Sequence, residues 1–204
     1  MRFAHLSDSH LGYRQFGILD REQDFYDVFA RNIDKIIEMD VDFVIHSGDL
    51  FDNNRPSTEA LLAFQKALLR LKEAKIPIYA IAGNHDSILR KDALPPQVLF
   101  KDIGLNLISP DNPAYNEGAV LICGIPYMPS SQGRALKDRY GQLSKLADKY
   151  IKSILVSHQG IDKWMHEDTY EIELSQLPQN FDYYAMGHVH NYVEEDFGKG
   201  KFAG

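Results

Sequence analysis

Five short stretches of the chain hold residues able to bind cations and move protons. They are Asp8-Ser9-His10, Gly48-Asp49, Gly83-Asn84-His85-Asp86, His158 and Gly187-His188-Val189-His190. Five of the eight histidines fall in them. Imidazole nitrogen mixed with carboxylate and amide oxygen suits Mn²⁺, iron or Zn²⁺, whereas a pure Mg²⁺ site draws mostly on oxygen and water. Cys123 is the only cysteine, which excludes a cysteine-rich structural zinc site. The donors are too many for one four-coordinate ion. Two cations sharing a bridging carboxylate account for them better; such pairs, about 3.5–4 Å apart, clamp the attacking and leaving oxygens of a phosphoryl displacement. Asp-x-His and Gly-Asp recur by chance and mean little alone. Gly-Asn-His-Asp arises by accident in a chain of this size with odds under roughly one in a hundred, and the five stretches together form a strong signal.

A strand-like run precedes each stretch, at 2–6, 41–46, 76–82, 154–157 and 183–186. Ligands of open α/β sheets gather at the carboxyl ends of strands, so these loops can converge although they span the chain. Gly48, Gly83 and Gly187 each come before a donor at a strand-to-loop turn, where glycine permits positive φ and close approach. Between the strands, Phe25, Phe29, Ile33 and Ile36 recur at helical spacing and predict a helix over 21–39. Pro56 or Ser57 opens a second helix with Leu61, Phe64, Leu68 and Leu71 as its stripe. A shorter helix is expected within 91–103 and another over 132–152. Further strands are expected at 105–109, 119–125 and 189–197, the last joined to 183–186 by a tight turn. This order predicts an α/β domain that starts with a largely parallel sheet and adds a mixed or second packed sheet. Residues 198–204 read as the start of a hairpin, so the chain is expected to be part of a longer protein.

The chain has 204 residues, ordinary proportions of apolar and charged residues, and a net charge of −7 from 22 basic and 29 acidic side chains. It is long enough to bury a core without disulfides. The acidic balance argues against a protein that coats nucleic acid through general charge, and is compatible with a metalloenzyme acting on phosphates. No apolar run approaches the roughly 18 residues of a membrane span, and Asp8 and His10 interrupt any leader-like core. A lone cysteine fits a reducing compartment, so a cytoplasmic location is expected.

Taken in order, the five stretches resemble the signature of the calcineurin-like metallophosphoesterases, D-x-H, G-D, G-N-H-D, H and G-H-x-H. The segments Phe3 to Tyr13, Gly48-Asp49-Leu50-Phe51, Arg55-Pro56-Ser57, His158-Gln159-Gly160 and Tyr183 to His190 resemble more narrowly the SbcD/Mre-type nucleases of double-strand-break repair, with archaeal-like spacing. The resemblance covers nearly the whole chain. It implies a four-layer αββα sandwich of two mixed sheets flanked by helices, spanning 1–204, with a smaller capping domain and an ATPase-binding helical tail lying outside this sequence. It implies two Mn²⁺ per subunit: one held by Asp8, His10, Asp49 and His190, the other by Asp49, Asn84, His158 and His188, with Asp49 as the bridge. His85 matches a histidine that stands beside the scissile phosphate without binding metal. The implied activity is a 3′ to 5′ double-strand exonuclease and single-strand endonuclease, with DNA as substrate. An SMC-like coiled-coil ATPase is the implied partner. Homodimerisation is implied through helices 56–72 and 91–103, with Leu61, Leu62, Leu99 or Phe100 toward the partner. The alternative is a phosphodiesterase of small phosphodiesters or nucleotides, which shares the signature. Asp52 departs from the pattern, because many relatives have a histidine there that is implicated in exonuclease action.

The remaining candidates divide by context. His5 and His46 lie inside strands and read as core or supporting histidines; Cys123 reads as a core residue. Arg14, Arg55, Arg90 and Lys91 share the loops of the donors and are candidates for phosphate contact, which would give an acidic protein a local positive face.

Overall fold

Two sheets follow from two runs of strands. The computed structural model describes residues 1–87, 90, 93–166 and 169–204. In the first half, β1 (Phe3–Leu6), β2 (Phe43–His46), β3 (Ile78–Ala80) and β4 (Leu105–Leu107) form a parallel sheet in that order. Parallel neighbours need crossovers, and α1 (Leu19–Glu38) and α2 (Thr58–Glu73) supply the first two. In the second half, β5 (Ala114–Glu117), β6 (Val120–Ile125), β7 (Lys152–His158), β8 (Tyr183–Gly187), β9 (Glu194–Phe197) and β10 (Gly200–Ala203) form a mixed sheet. Its order is β5-β6-β7-β8-β10-β9. The three contacts among β6, β7, β8 and β10 are parallel, and β5 and β9 close the edges antiparallel. The helix α3 (Gly133–Ala147) makes the β6-to-β7 crossover.

The period of two along the strands sorts side chains into layers. Phe43 and Ile45 of β2 face Ile122, Val156 and Ala185 across the gap between the sheets, where Phe3 and Tyr79 also pack. Val44, Ile78 and Ala80 point the other way, onto Phe29, Ile33 and Ile36 of α1 and Phe64, Leu68 and Leu71 of α2. Leu121, Cys123, Leu155 and Tyr184 meet Leu136, Tyr140 and Leu143 of α3. The result is the expected αββα sandwich. Ser57 caps α2, its side chain accepting the Ala60 N–H at 3.1 Å.

Four sequence expectations need correction. The helix expected over 132–152 stops at Ala147, because Lys152 and Ser153 pair with Val120 and Leu121 and extend β7 backwards. The helix expected within 91–103 is a 3-10 segment over Pro96–Ile103 in its described part; Lys91 lies outside the described residues, and Pro95–Pro96 prevents an earlier start. Phe100 of that segment is buried against Phe51 and Phe64, so it faces the chain's own core and not a partner. Residues 189–197 are a strand only from Glu194, and β8 is joined laterally to β10, not to β9 by a tight turn. His188 has φ 86°, which takes the backbone out of the extended region. An additional strand, β5, has no signal in the sequence, because its Asn116 and Glu117 are poor strand formers. The terminal hairpin is present as β9–β10 around Gly198, φ +57°. No helix among the described residues is long and apolar enough to cross a membrane.

Candidate metal centre

The five stretches converge at the carboxyl ends of β1, β2, β3, β7 and β8, all strands with parallel partners. All seven expected donors come together there in two groups. In the first, His10 Nε2 lies 3.3 Å from His190 Nε2, and His190 Nε2 lies 3.5 Å from Asp8 Oδ1. In the second, Asn84 Oδ1 lies 3.0 Å from His158 Nε2 and 2.8 Å from His188 Nδ1. Asp49 stands between the groups. Its Oδ2 is 3.3 Å from His158 Nε2 and 3.8 Å from His10 Nε2. Its Oδ1 accepts the His85 N–H at 2.8 Å.

The chemistry of this donor set fits cations. His158 Nδ1 lies 2.8 Å from the Ser47 carbonyl, which can only accept, so Nδ1 carries the proton. In the neutral ring Nε2 is then a lone pair aimed at two oxygen atoms, those of Asp49 and Asn84. Burial lowers the His158 pKa, but the Asp49 carboxylate more than offsets it and the net shift is upward. Burial also opposes the ionisation of Asp49, yet His158 and the His85 N–H hold its pKa down at about 2. A proton competes for this gap, and a divalent ion would displace it. Burial lowers His10, and holds His188 at about 4, so both are neutral imidazoles at neutral pH, as ligation requires.

The backbone is strained where the donors sit. Asp8, His10, Asp49 and His188 have φ of 51°, 43°, 50° and 86°. Left-handed conformations at non-glycine residues cost about 1–3 kcal/mol each and persist only when the surroundings impose them. Asp86 is one such constraint. Buried completely, it accepts N–H bonds from Leu50 at 2.8 Å, Phe51 at 3.2 Å and Gly83 at 2.6 Å, and another from the Gln97 amide. It thereby ties the Asp49 loop to the Asn84 loop. The glycines divide the two expected roles between them. Only Gly48 of the three has positive φ, +102°, whereas a Cβ on Gly83 would collide with Asp49 and one on Gly187 with the Ser47 carbonyl. Close approach, not backbone conformation, requires glycine at those two positions.

Around the donors, His5 Nε2 bonds Ser47 Oγ at 2.8 Å and His46 Nε2 bonds Ser9 Oγ at 2.8 Å, the supporting roles expected of them. His85 Nδ1 lies 2.9 Å from the Asp52 carbonyl, which leaves Nε2 available on a half-exposed ring. Arg14 is committed to Glu22, at 2.7 Å and 2.9 Å, while Arg55 and Arg90 are exposed on the donor loops. Sequence reasoning missed Glu171 and Tyr127. Glu171 Oε2 lies 3.8 Å from His188 Nε2 and accepts the Gly160 N–H at 2.7 Å, and Tyr127 donates to its other oxygen at 3.3 Å. Neither sits in a stretch whose local pattern could have marked it.

The sequence profile of the calcineurin-like phosphoesterases matches residues 1–192, a span that contains every donor named above. The chain belongs to the calcineurin-like phosphoesterase family. This phosphoesterase is 40% identical over 203 residues to the DNA double-strand break repair protein Mre11 of Methanocaldococcus jannaschii, covering 100% of this chain and 55% of that protein. It is 40% identical over 199 residues to the protein of the same name from Thermoplasma acidophilum, covering 95% and 53%. Against that of Sulfurisphaera tokodaii the identity is 43% over 192 residues, covering 93% and 49%. The phosphoesterase chain thus spans about half the length of the curated relatives it matches. The crystal structure of TT1561 of Thermus thermophilus superposes with a TM-score of 0.60 at 15% identity, over 99% of this chain and 88% of that one, a likeness of fold. Family membership and the clustered donors together mark a divalent-metal centre.

Proposed function

We propose that this chain is the catalytic domain of a manganese-dependent DNA nuclease acting in double-strand-break repair. The observation that carries the proposal is the Asp49 carboxylate, shared between two donor groups in a chain similar along its length to repair proteins named Mre11. Asp8, His10, Asp49 and His190 would hold one Mn²⁺, and Asp49, Asn84, His158 and His188 the other. When bound, such a pair supplies charge neutralisation and an activated water for in-line attack on phosphorus. The chain's own residues orient the reaction. The Ser47 carbonyl fixes the His158 tautomer. Asp86 holds the two loops in register. His85, anchored through Nδ1, presents Nε2 to hold a proton for the leaving oxygen. Arg55 and Arg90 supply phosphate contacts, and Arg14 supplies one only by giving up Glu22.

The test is incubation of purified protein with end-labelled duplex and hairpin DNA, with Mn²⁺ or Mg²⁺. Shortening of duplex from the 3′ ends and nicking of single strands, both stimulated by Mn²⁺, are expected. Hydrolysis of small phosphodiesters with DNA left intact would place the chain among small-molecule phosphodiesterases instead.

Metal binding should depend on pH with a defined sign. The His158 pKa is raised, and its Nε2 must be free of a proton to bind a cation. Mn²⁺ affinity therefore rises with pH, by up to about tenfold per unit, until pH exceeds that pKa, and then levels. Calorimetry between about pH 6 and 8, in buffers of different ionisation enthalpy, should show proton release; a flat affinity with none refutes the role of His158.

A homodimer through α2 and the 96–103 segment is also proposed. Leu62 and Leu69 of α2 and Leu99 of the 3-10 segment are 46%, 48% and 68% exposed, while Leu61 packs on the core. Sedimentation at micromolar concentration should show a dimer that Leu62→Asp with Leu99→Asp converts to monomer; a monomeric parent ends the proposal. For the whole protein, the resemblance extends to an SMC-like coiled-coil ATPase partner in the cytoplasm, to which no residue of these 204 is assigned.

A further inference from the structure

Asp52 lies three residues beyond Asp49, in a segment that runs beside the Asp8–His10 loop. Backbone bonds lace the two together: Asp8 N–H to the Gly48 carbonyl at 3.0 Å, His10 N–H to Asp49 at 3.0 Å, Leu11 N–H to Leu50 at 2.9 Å and Asp52 N–H to Leu11 at 3.1 Å. The main chain at Asp52 is thus fixed without help from its side chain. The carboxylate is free to serve another purpose, and it faces His10, with Oδ1 3.3 Å from Nδ1. The carbonyl of the same residue accepts the His85 Nδ1–H at 2.9 Å. One residue therefore addresses the Nδ1 atoms of two rings, which meet edge to face with centroids 4.7 Å apart.

We propose that Asp52 is a positioning residue serving only the first donor group. Its carboxylate keeps the proton of His10 on Nδ1 and turns the Nε2 lone pair toward His190 and Asp49. The two nitrogens of an imidazole are distinct, and the partner of one decides which face the other shows a metal. A carboxylate behind a ligating histidine fixes tautomer and ring orientation, and its loss typically costs about 10–100-fold in metal affinity. The second group has its own device: His158 is oriented by the Ser47 carbonyl at 2.8 Å. Loss of the Asp52 carboxylate should therefore be felt at one cation and not at the other. The pairing also gives the departure at this position a physical content, since a carboxylate holds a neighbouring imidazole N–H in a way that a second imidazole, donor and acceptor at once, does not enforce.

The inference rests on the two-cation reading, and one experiment separates the two. Mn²⁺ is titrated calorimetrically into the intact chain, the Asp52→Ala variant and the Asp52→Leu variant, with melting in chelator as the check on folding. The parent should take up two Mn²⁺. Asp52→Ala should keep one at parental affinity and weaken the other by about 10–100-fold, with its chelated melting temperature nearly unchanged. Asp52→Leu keeps the branched shape, slightly larger, without an acceptor; it should give the same split, and decides the matter if the alanine variant fails to melt cooperatively. Two Mn²⁺ at parental affinity in the variants, or equal weakening of both, overturns the role of Asp52 while leaving the two-cation centre standing. Fewer than two Mn²⁺ in the parent overturns the two-cation reading, and this inference with it.

Discussion

His85→Ser should lower DNA cleavage by about 10²–10⁴-fold, the usual worth of a positioned acid or base, with both Mn²⁺ still bound and DNA affinity retained. The expectation comes from where its contacts lie. The ring sits beside His10, with centroids 4.7 Å apart, but its Nδ1 is spent on the Asp52 carbonyl. Its hydrogen bond to a donor comes from the backbone N–H, to Asp49 Oδ1 at 2.8 Å, and serine keeps that N–H. The seven side chains of the two donor groups are untouched. Asp49→Ala makes the contrast, because Asp49 Oδ2 is common to both groups and its removal should empty at least one cation position. Metal content, DNA affinity and cleavage are measured together for both variants. Loss of Mn²⁺ from His85→Ser, or cleavage near the parental rate, refutes its place as the proton-holding group.

The same one-methyl substitution should have opposite effects at two glycines. A Cβ on Gly83 would collide with the Asp49 side chain and with its backbone N, neither of which is the loose end of a flexible group. Asp49 itself is buried and held in a left-handed conformation, so it has little room to yield. Gly83→Ala should destabilise the fold by about 1–3 kcal/mol, as overpacking does, and should displace the shared carboxylate. Loss of Mn²⁺ follows, and cleavage falls with it. At Gly141, exposed on α3, a Cβ meets nothing within 4 Å. Gly141→Ala should stabilise by about 0.5–1 kcal/mol, the helix-propensity difference, with metal content and activity unchanged. Chemical denaturation in chelator gives both stabilities, and metal analysis of the native proteins gives the rest. A Gly83→Ala variant with parental Mn²⁺ content contradicts the close-approach account of that glycine.

The sequence by itself determined which residue types gather and in which layers they pack. The helical stripes through Phe29, Ile33 and Ile36 and through Phe64, Leu68 and Leu71 are local patterns, and they meet the parallel sheet as expected. The donors were legible because each lies at or shortly beyond the end of a strand, and parallel strands deliver their carboxyl ends to one edge. Local pattern fails where pairing between distant segments decides. Lys152 reads as the end of a helix, yet β6 recruits it, with Ser153, as strand. Residues 189–193 read as strand, yet the His188 N–H lies 3.2 Å from each Asp8 carboxylate oxygen and the chain turns away. β5 exists because β6 offers it an antiparallel edge, whatever the low strand propensity of Asn116 and Glu117. The same holds at the metal centre. Types and spacing marked the five stretches, and the family resemblance singled out seven donors in them, but only the folded chain shows Asp49 Oδ2 between His10 and His158, left-handed backbone at Asp8, His10, Asp49 and His188, and Asp52 behind His10. Distances of about 3–4 Å between residues far apart in sequence arise from strand pairing within one sheet and from the packing of two sheets, and no local signal in the chain encodes them.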